Sequence, residues 1–465
     1  MSKFTRRDCM ALGLTATAAG CAPRRKDSPK KSAERKTAMN WTRAFVLIAA
    51  VSLGGCGTLN WHPLGAAGGI DTAHIDKTLG TLVGSGKLVG VSALVFKDGK
   101  EAYFGAFGMA DREAGRPMAR DTIVQIYSMT KPITGVALMT LYEQGKFKLD
   151  DPVAKYVPEL ADVKVYAGTD AAGAPILVAP QRPMTIRDLA RHTSGLTYGE
   201  GSNIPAVAAS FDKADPMNLD NSLSEMARRL GTVPLEYSPG ERWLYSRAVD
   251  VQALLVERLS GEPYAQYLHE KVLTPLGMTH TGYAVAESER DKLAAPYDRN
   301  PDGSFTRMSD QRAFDLNTKK WTLTPGGLGL ASTLDDYSRF ARMLLNGGEL
   351  DGVRILRPET VRMMSTSQLD PAVTERSWLP SKGRVGFGID FAVRIEPPRK
   401  TDEAAGAVGE FFWDGKFNTL FWVDPKNRLA AVLFTQYYPF GTVSLHKEFR
   451  DAVYRSLDND AMPPP

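Results

Sequence analysis

The sequence predicts an α/β fold in which a sheet assembled from both ends of the chain encloses a largely helical insertion. Three observations predict it. A strong hairpin signal lies at 89–108, where the turn residues Lys97-Asp98-Gly99-Lys100 separate two apolar runs. Short strand-like runs return from Val385 onward, and among them Leu429-Ala430-Ala431-Val432-Leu433-Phe434 is wholly apolar, as a central strand should be. Helical spacing dominates the stretch between these ends.

In chain order, Ile70–Lys87 has helical spacing and precedes the hairpin, whose strands are expected at Val91–Phe96 and Glu101–Phe107. Pro132–Gly145 reads as a helix with Ile133, Val136, Ala137, Met139, Thr140 and Leu141 on or near one face. Leu160–Pro183 and Tyr198–Asp220 are polar and rich in Gly, Ala and Pro, and read as unusually long connections. Val249–Leu259 is an amphipathic helix with Gly261 as its C-cap, and Leu334–Leu345 is another, closed by Asn346-Gly347-Gly348. Strands are then expected at Gly386–Val393, Glu410–Trp413, Thr419–Val423 and Leu429–Thr435.

The 465-residue length fits one large two-lobed unit or two domains. Net charge is +4, but eleven of the 57 basic residues and three of the 53 acidic residues lie in the first 55 positions. The remaining body is mildly acidic, which argues against nucleic-acid binding. The three cysteines, Cys9, Cys21 and Cys56, also precede the body, which excludes a disulfide framework, a Cys metal site and a Cys nucleophile there.

Residues 1–56 read as export signals. Arg43 precedes the apolar run 44–51, which ends in Leu53-Gly54-Gly55-Cys56. The core is too short to span a bilayer as a mature helix, and its end resembles a bacterial lipobox whose Cys56 is lipidated. Met39 is a natural start for this signal. Upstream, Arg6-Arg7 followed by 10–14 resembles a twin-arginine signal, with Cys21 as an alternative lipidation site. Residues 57–69 form a Gly-rich tether, 70–457 the folded domain with a helical lobe at about 145–325, and 458–465 a tail. The expected location is periplasmic, with a lipid anchor to the membrane.

The chemistry concentrates at Tyr127-Ser128-Met129-Thr130-Lys131-Pro132. Ser128 and Lys131 share one face if a helix begins near Ser128. Serine needs a base within reach, and a lysine can be that base once burial lowers its proton affinity. Ser-x-x-Lys spacing alone also occurs by chance as a surface pair. Here it follows a short apolar run and opens a helix, where backbone N–H groups face a bound oxyanion. Trp243-Leu244-Tyr245-Ser246 follows at a distance, and Phe412-Trp413-Asp414-Gly415 lies at the strand-rich end.

These segments resemble the motifs of the serine β-lactamase-like hydrolases, and among them the family VIII carboxylesterases, relatives of class C β-lactamases. Ser128-Met129-Thr130-Lys131 is similar to the first motif, Tyr245-Ser246 to the second, and Trp413-Asp414-Gly415 stands at the third. Leu189–Leu196, Tyr237–Gly240, Thr274–Met278 and Gly326–Leu330 match in order, so the resemblance spans about 70–457. It implies a β-lactamase/transpeptidase-like fold, with an antiparallel sheet flanked by helices, an all-α lobe and the site between them. It further implies Ser128 as nucleophile, Lys131 and Tyr245 as proton carriers, an oxyanion hole from the N–H groups of Ser128 and Lys416, and no metal or cofactor. Arg247 replaces the lactamase asparagine and Trp413 the third-motif lysine, so Trp413, Asp414, Gly415 and Arg247 form a pocket leaning towards neutral short-chain esters.

No Gly-x-Ser-x-Gly elbow and no His-Glu-x-x-His motif is present, which removes the α/β-hydrolase and zinc-hydrolase alternatives. His192, inside Arg191-His192-Thr193-Ser194-Gly195, is expected to be structural. A β-lactamase, DD-peptidase or D-amino-acid amidase remains an alternative, as does a non-catalytic acyl- or peptidoglycan-binding module. Expected partners are a small ester, β-lactam or peptide-like substrate and a membrane, with no nucleic acid. Oligomeric state is not legible.

Overall fold

The computed structural model describes residues 70–199, 201–399 and 403–458. The expected export signals with Cys21 and Cys56, and the 57–69 tether, lie outside the described residues.

The first described helix, α1 (Thr72–Gly84), is capped by the Asp71 side chain and buries Ile75, Leu79 and Leu82. The hairpin follows as β1 (Gly90–Lys97) and β2 (Lys100–Asp111). Its turn places both Asp98 (φ 54°) and Gly99 (φ 76°) in the left-handed region, as the Asp-Gly pair requires. A short β3 (Arg116–Pro117) edges β2. The C-terminal half supplies β4 (Val385–Phe387), β5 (Ala392–Arg394), β6 (Phe411–Asp414), β7 (Leu420–Asp424) and β8 (Leu429–Phe434). The eight strands form one antiparallel sheet in the order β4-β5-β6-β7-β8-β1-β2-β3.

All six β8 residues are buried, because β8 pairs with β7 on one side and β1 on the other and both sheet faces are covered. Burial of Val432, Leu433 and Phe434 contributes about 1.5–3 kcal/mol each. Along β7, alternate residues face opposite layers. Trp422 meets Phe449 of α11 (Leu445–Asp458), and Phe421 meets Tyr337 of α9 (Leu334–Leu345). The layers are therefore α1 with α11, then the sheet, then α9, and α2 (Thr130–Glu143) opens the helical region.

Between the strand-rich ends lie α3 (Ile186–Ala190), α4 (Pro205–Ala214), α5 (Leu223–Leu230), α6 (Ala248–Ser260), α7 (Tyr264–Leu268) and α8 (Asp310–Thr318), with α10 (Pro358–Met364) after α9. α2 runs against α6 and is buried on nearly every side. Gly261 (φ 78°) ends α6 as expected.

Three expectations are corrected. The 160–183 connection holds a hairpin, Val165–Thr169 with Pro175–Val178, whose second strand has no buried face and so shows no apolar alternation. The 198–220 connection contains α4, opened by Pro205 and closed by Asp215 in a left-handed conformation rather than by glycine. The single strand expected at Gly386–Val393 is two strands, broken where Asp390 adopts φ 60°.

Candidate active site

Ser128 sits on a single 3-10 turn, Tyr127–Met129, that leads into α2. Tyr127 holds φ 42°, a costly conformation for a non-glycine residue that persists only where surrounding contacts enforce it. Those contacts are specific. Val124–Gln125 pairs with Ala331–Ser332, the Ile126 N–H donates to Leu330 O at 3.0 Å, and Tyr337 Oη donates to Met129 O at 2.9 Å. Gln125 Nε2 donates to Asn317 Oδ1 at 2.8 Å, and Asn317 Nδ2 donates to Gly329 O at 2.8 Å. The turn is held from below while Ser128 itself stays partly exposed.

Lys131 is one helical turn further on. Its Nζ lies 3.2 Å from Ser128 Oγ and donates to Gly327 O at 2.7 Å. The side chain is buried, and burial is the largest reason its pKa is pushed down to about 7. Asp250, Asp390 and Asp414 pull it up, and Arg247 pushes it down. The glycine segment 326–330 thereby supplies a carbonyl to Lys131, and the Gly327 N–H donates to Asp250 Oδ1 at 2.8 Å. Gly326 is required there, since a Cβ would stand 2.3 Å from Val249 O.

Tyr245 approaches from the helical region. Its ring centroid is 4.6 Å from Lys131 Nζ. Its hydroxyl is buried, with the Ser128 hydroxyl and the Trp413 indole N–H as its polar neighbours. Burial raises its pKa well above the ordinary tyrosine value, so the phenol keeps its proton at neutral pH. The ring stacks on Tyr198 (5.2 Å, 13°) and meets Trp413 (5.5 Å), Trp378 (5.3 Å) and His192 (4.9 Å). His192 is fully buried and kept neutral, first by burial and then by Lys131. Its carbonyl accepts the Leu244 N–H at 2.9 Å, so the His192 turn supports the segment that carries Tyr245.

The third motif closes the site. A Cβ on Gly415 would stand 2.5 Å from Ile126 O and 2.3 Å from Thr419 Oγ1, so only glycine lets the end of β6 abut the Ser128 turn. Among the described residues no hydrogen bond takes up the Lys416 N–H, which follows directly. Lys416 Nζ lies 5.2 Å from the Tyr438 ring centroid. Trp413 faces Tyr245, whereas Asp414 forms an ion pair with Lys382. Arg247 is nearly buried, with its guanidinium 4.0 Å from the Tyr198 ring centroid and its Nη1 3.8 Å from Asp250 Oδ2.

Ser128, Lys131, Tyr245, Trp413, Asp414, Gly415 and Lys416 thus converge, and Arg247 stands behind Tyr198. Sequence reasoning missed Tyr198, Asp250, Trp378, Lys382 and Asp390, which arrive from segments without recognisable spacing. Among the described residues no group of three His, Cys, Asp or Glu side chains forms a metal site, and no helix is long and apolar enough to cross a membrane.

The Beta-lactamase family model matches residues 75–453. The chain belongs to the beta-lactamase family. Within that family it is similar to Protein Rv1367c of Mycobacterium tuberculosis (36% identical over 363 residues, 76% of this chain and 87% of the relative). It is also similar to Esterase EstB of Burkholderia gladioli (32% over 409 residues, 82% and 95%). Among solved structures it resembles EstCE1, described as a hydrolase with promiscuous acyltransferase activity (25% identity, TM-score 0.69, 82% of this chain and 98% of that one). A class C beta-lactamase shares the fold at 16% identity (TM-score 0.60, 83% and 96%). The beta-lactamase-like fold expected from the motifs is the fold observed, and relatives of the chain are named as esterases and acyltransferases.

Proposed function

We propose that this beta-lactamase-family protein is a carboxylesterase that forms an acyl-enzyme on Ser128. One observation carries the reading: a buried amine with a pKa near 7, 3.2 Å from a partly exposed serine hydroxyl. Near neutral pH a large fraction of Lys131 is unprotonated and free to take the Ser128 proton as Oγ bonds to the ester carbonyl. The oxyanion faces the N–H groups of Ser128 and Lys416. As the acyl–oxygen bond breaks, Tyr245 donates its phenol proton to the leaving alkoxide, and the proton on Lys131 restores it. Water then attacks the acyl-enzyme by the reverse proton path, releasing the acid and free Ser128.

Neutral esters suit the site better than anionic β-lactams. Trp413 stands at the lactamase lysine position, Lys382 is neutralised by Asp414, and Arg247 is engaged by Tyr198 and Asp250. Relatives named as esterases support the same choice. Several others are named as acyltransferases, which favours a second reading in which an alcohol takes the acyl group in place of water. The mature protein is further proposed to be periplasmic and lipid-anchored through Cys56.

The test compares p-nitrophenyl butyrate with nitrocefin, using wild type and Ser128→Ala. Butyrate turnover far above nitrocefin turnover, abolished with fluorophosphonate labelling in Ser128→Ala, is expected. Equal kcat/KM on the two substrates overturns the ester assignment, and full labelling of Ser128→Ala overturns the nucleophile. Formation of a new ester when an alcohol is added decides for acyl transfer.

A further inference from the structure

Among the described residues most large apolar side chains are buried, yet Trp378 keeps 39% and Phe440 41% of its surface in water. Exposure of Trp378 is not slackness. Its segment is tied down on both sides: the Trp243 N–H donates to Glu375 O at 2.9 Å, Leu379 is fully buried, and Lys382 pairs with Asp414. Held in this way, the indole stands edge-on to Tyr245 (5.3 Å, 78°) and tilted over Trp413 (5.9 Å, 35°). Lys382 Nζ gathers three rings, at 4.7 Å from Trp378, 4.9 Å from Trp413 and 5.3 Å from Phe440. Asp414 neutralises that ammonium, so the rings form an apolar wall without net charge, in which Trp378 and Trp413 meet the Tyr245 ring. A fixed, exposed aromatic surface at a reaction centre is a recognition surface.

We infer that Trp378 and Phe440 form the subsite for the alcohol half of the substrate, and that they select esters of neutral alcohols bearing an aryl ring. The inference rests on the ester reading above. In that reading the leaving oxygen receives its proton from Tyr245, so the alcohol substituent lies against whatever borders Tyr245, and Trp378 does. The aromatic preference follows from the wall itself, since ring–ring pairs gain more than the burial of an aliphatic group of equal area.

The experiment is a set of acetates sharing one acyl group: propyl, cyclohexylmethyl and benzyl acetate, followed by acid release at constant pH. Wild type is expected to favour benzyl over cyclohexylmethyl acetate, which separates aromaticity from size. Trp378→Leu is expected to lower the benzyl-to-propyl ratio of kcat/KM by about tenfold, at the upper end of what aromatic pairing supplies. Phe440→Leu lowers it less, and Trp378→Phe retains most of it, which also guards against misfolding of the leucine variant. A parallel series, ethyl acetate against ethyl phenylacetate, reads the acyl side. Acetate turnover with a benzyl-to-propyl ratio unmoved by Trp378→Leu overturns the subsite alone, as does a change confined to the acyl series. Absence of turnover on every ester overturns the ester reading and this inference with it.

Discussion

Lys131 keeps its amine beside Ser128 at the expense of its hydration, and its proton affinity falls to about 7 against roughly 10.4 in an unfolded chain. Between those values the unfolded chain binds more protons than the folded one, so stability rises with pH across that window, and below it the full penalty remains. Lys131→Met should therefore raise the melting temperature at pH 6, by about 1 °C for each kcal/mol recovered in a body of this size, with the gain shrinking towards pH 10. Thermal melts at the two pH values check this, and a gain that is equal at both would contradict it. For catalysis the sign is the same: kcat/KM should climb with pH as Lys131, held down to about 7, gives up its proton. Lys131→Ala and Tyr245→Phe should each lower kcat by ~10²–10⁴. A double mutant little worse than the worse single would place both on one proton path. Near-wild-type kcat in Tyr245→Phe would remove Tyr245 from that path. These residues were legible because each lies in a short contiguous motif. Asp250 and Asp390 were not, since an acidic residue on a helix or in a turn carries no mark of facing a lysine more than a hundred positions away.

The end of β6 shows what an element contributes that a residue list does not. Gly415 lets this strand touch the Ser128 turn and so sets where the Lys416 N–H points. Gly415→Ala should push the strand away and lower kcat by ~10²–10³, the range for loss of one oxyanion donor, in a protein that still folds. Measuring kcat on p-nitrophenyl butyrate alongside circular dichroism checks this, and an unchanged kcat would count against the Lys416 donor. Elements were legible where local chemistry spoke plainly: Asp98-Gly99 gave the hairpin and the apolar run 429–434 the central strand. They were illegible where tertiary structure decided. Val165–Thr169 and Pro175–Val178 pair without burying the second strand, and Asp390 breaks a run of apolar residues by turning the backbone left-handed.

For the whole molecule, attachment is the first question. If Cys56 carries the lipid, Cys56→Ala should move the protein from the membrane to the soluble fraction while Cys21→Ala should not, and the opposite pattern would assign the anchor to Cys21. The two-ended origin of the sheet was legible because strand signals cluster at both ends of the body, but its order was not, since nothing local says that β1 inserts beside β8. That insertion has a consequence in time. Ser92 pairs with Phe434 and Lys97 with Leu429, so one edge of β1 has no neighbour until residues more than three hundred positions later have left the ribosome. At ordinary rates of synthesis that wait lasts tens of seconds. Through it the run from Val91 to Phe96 is an unpaired, apolar edge open to association with other nascent chains. The finished sheet cannot close before the chain is almost complete.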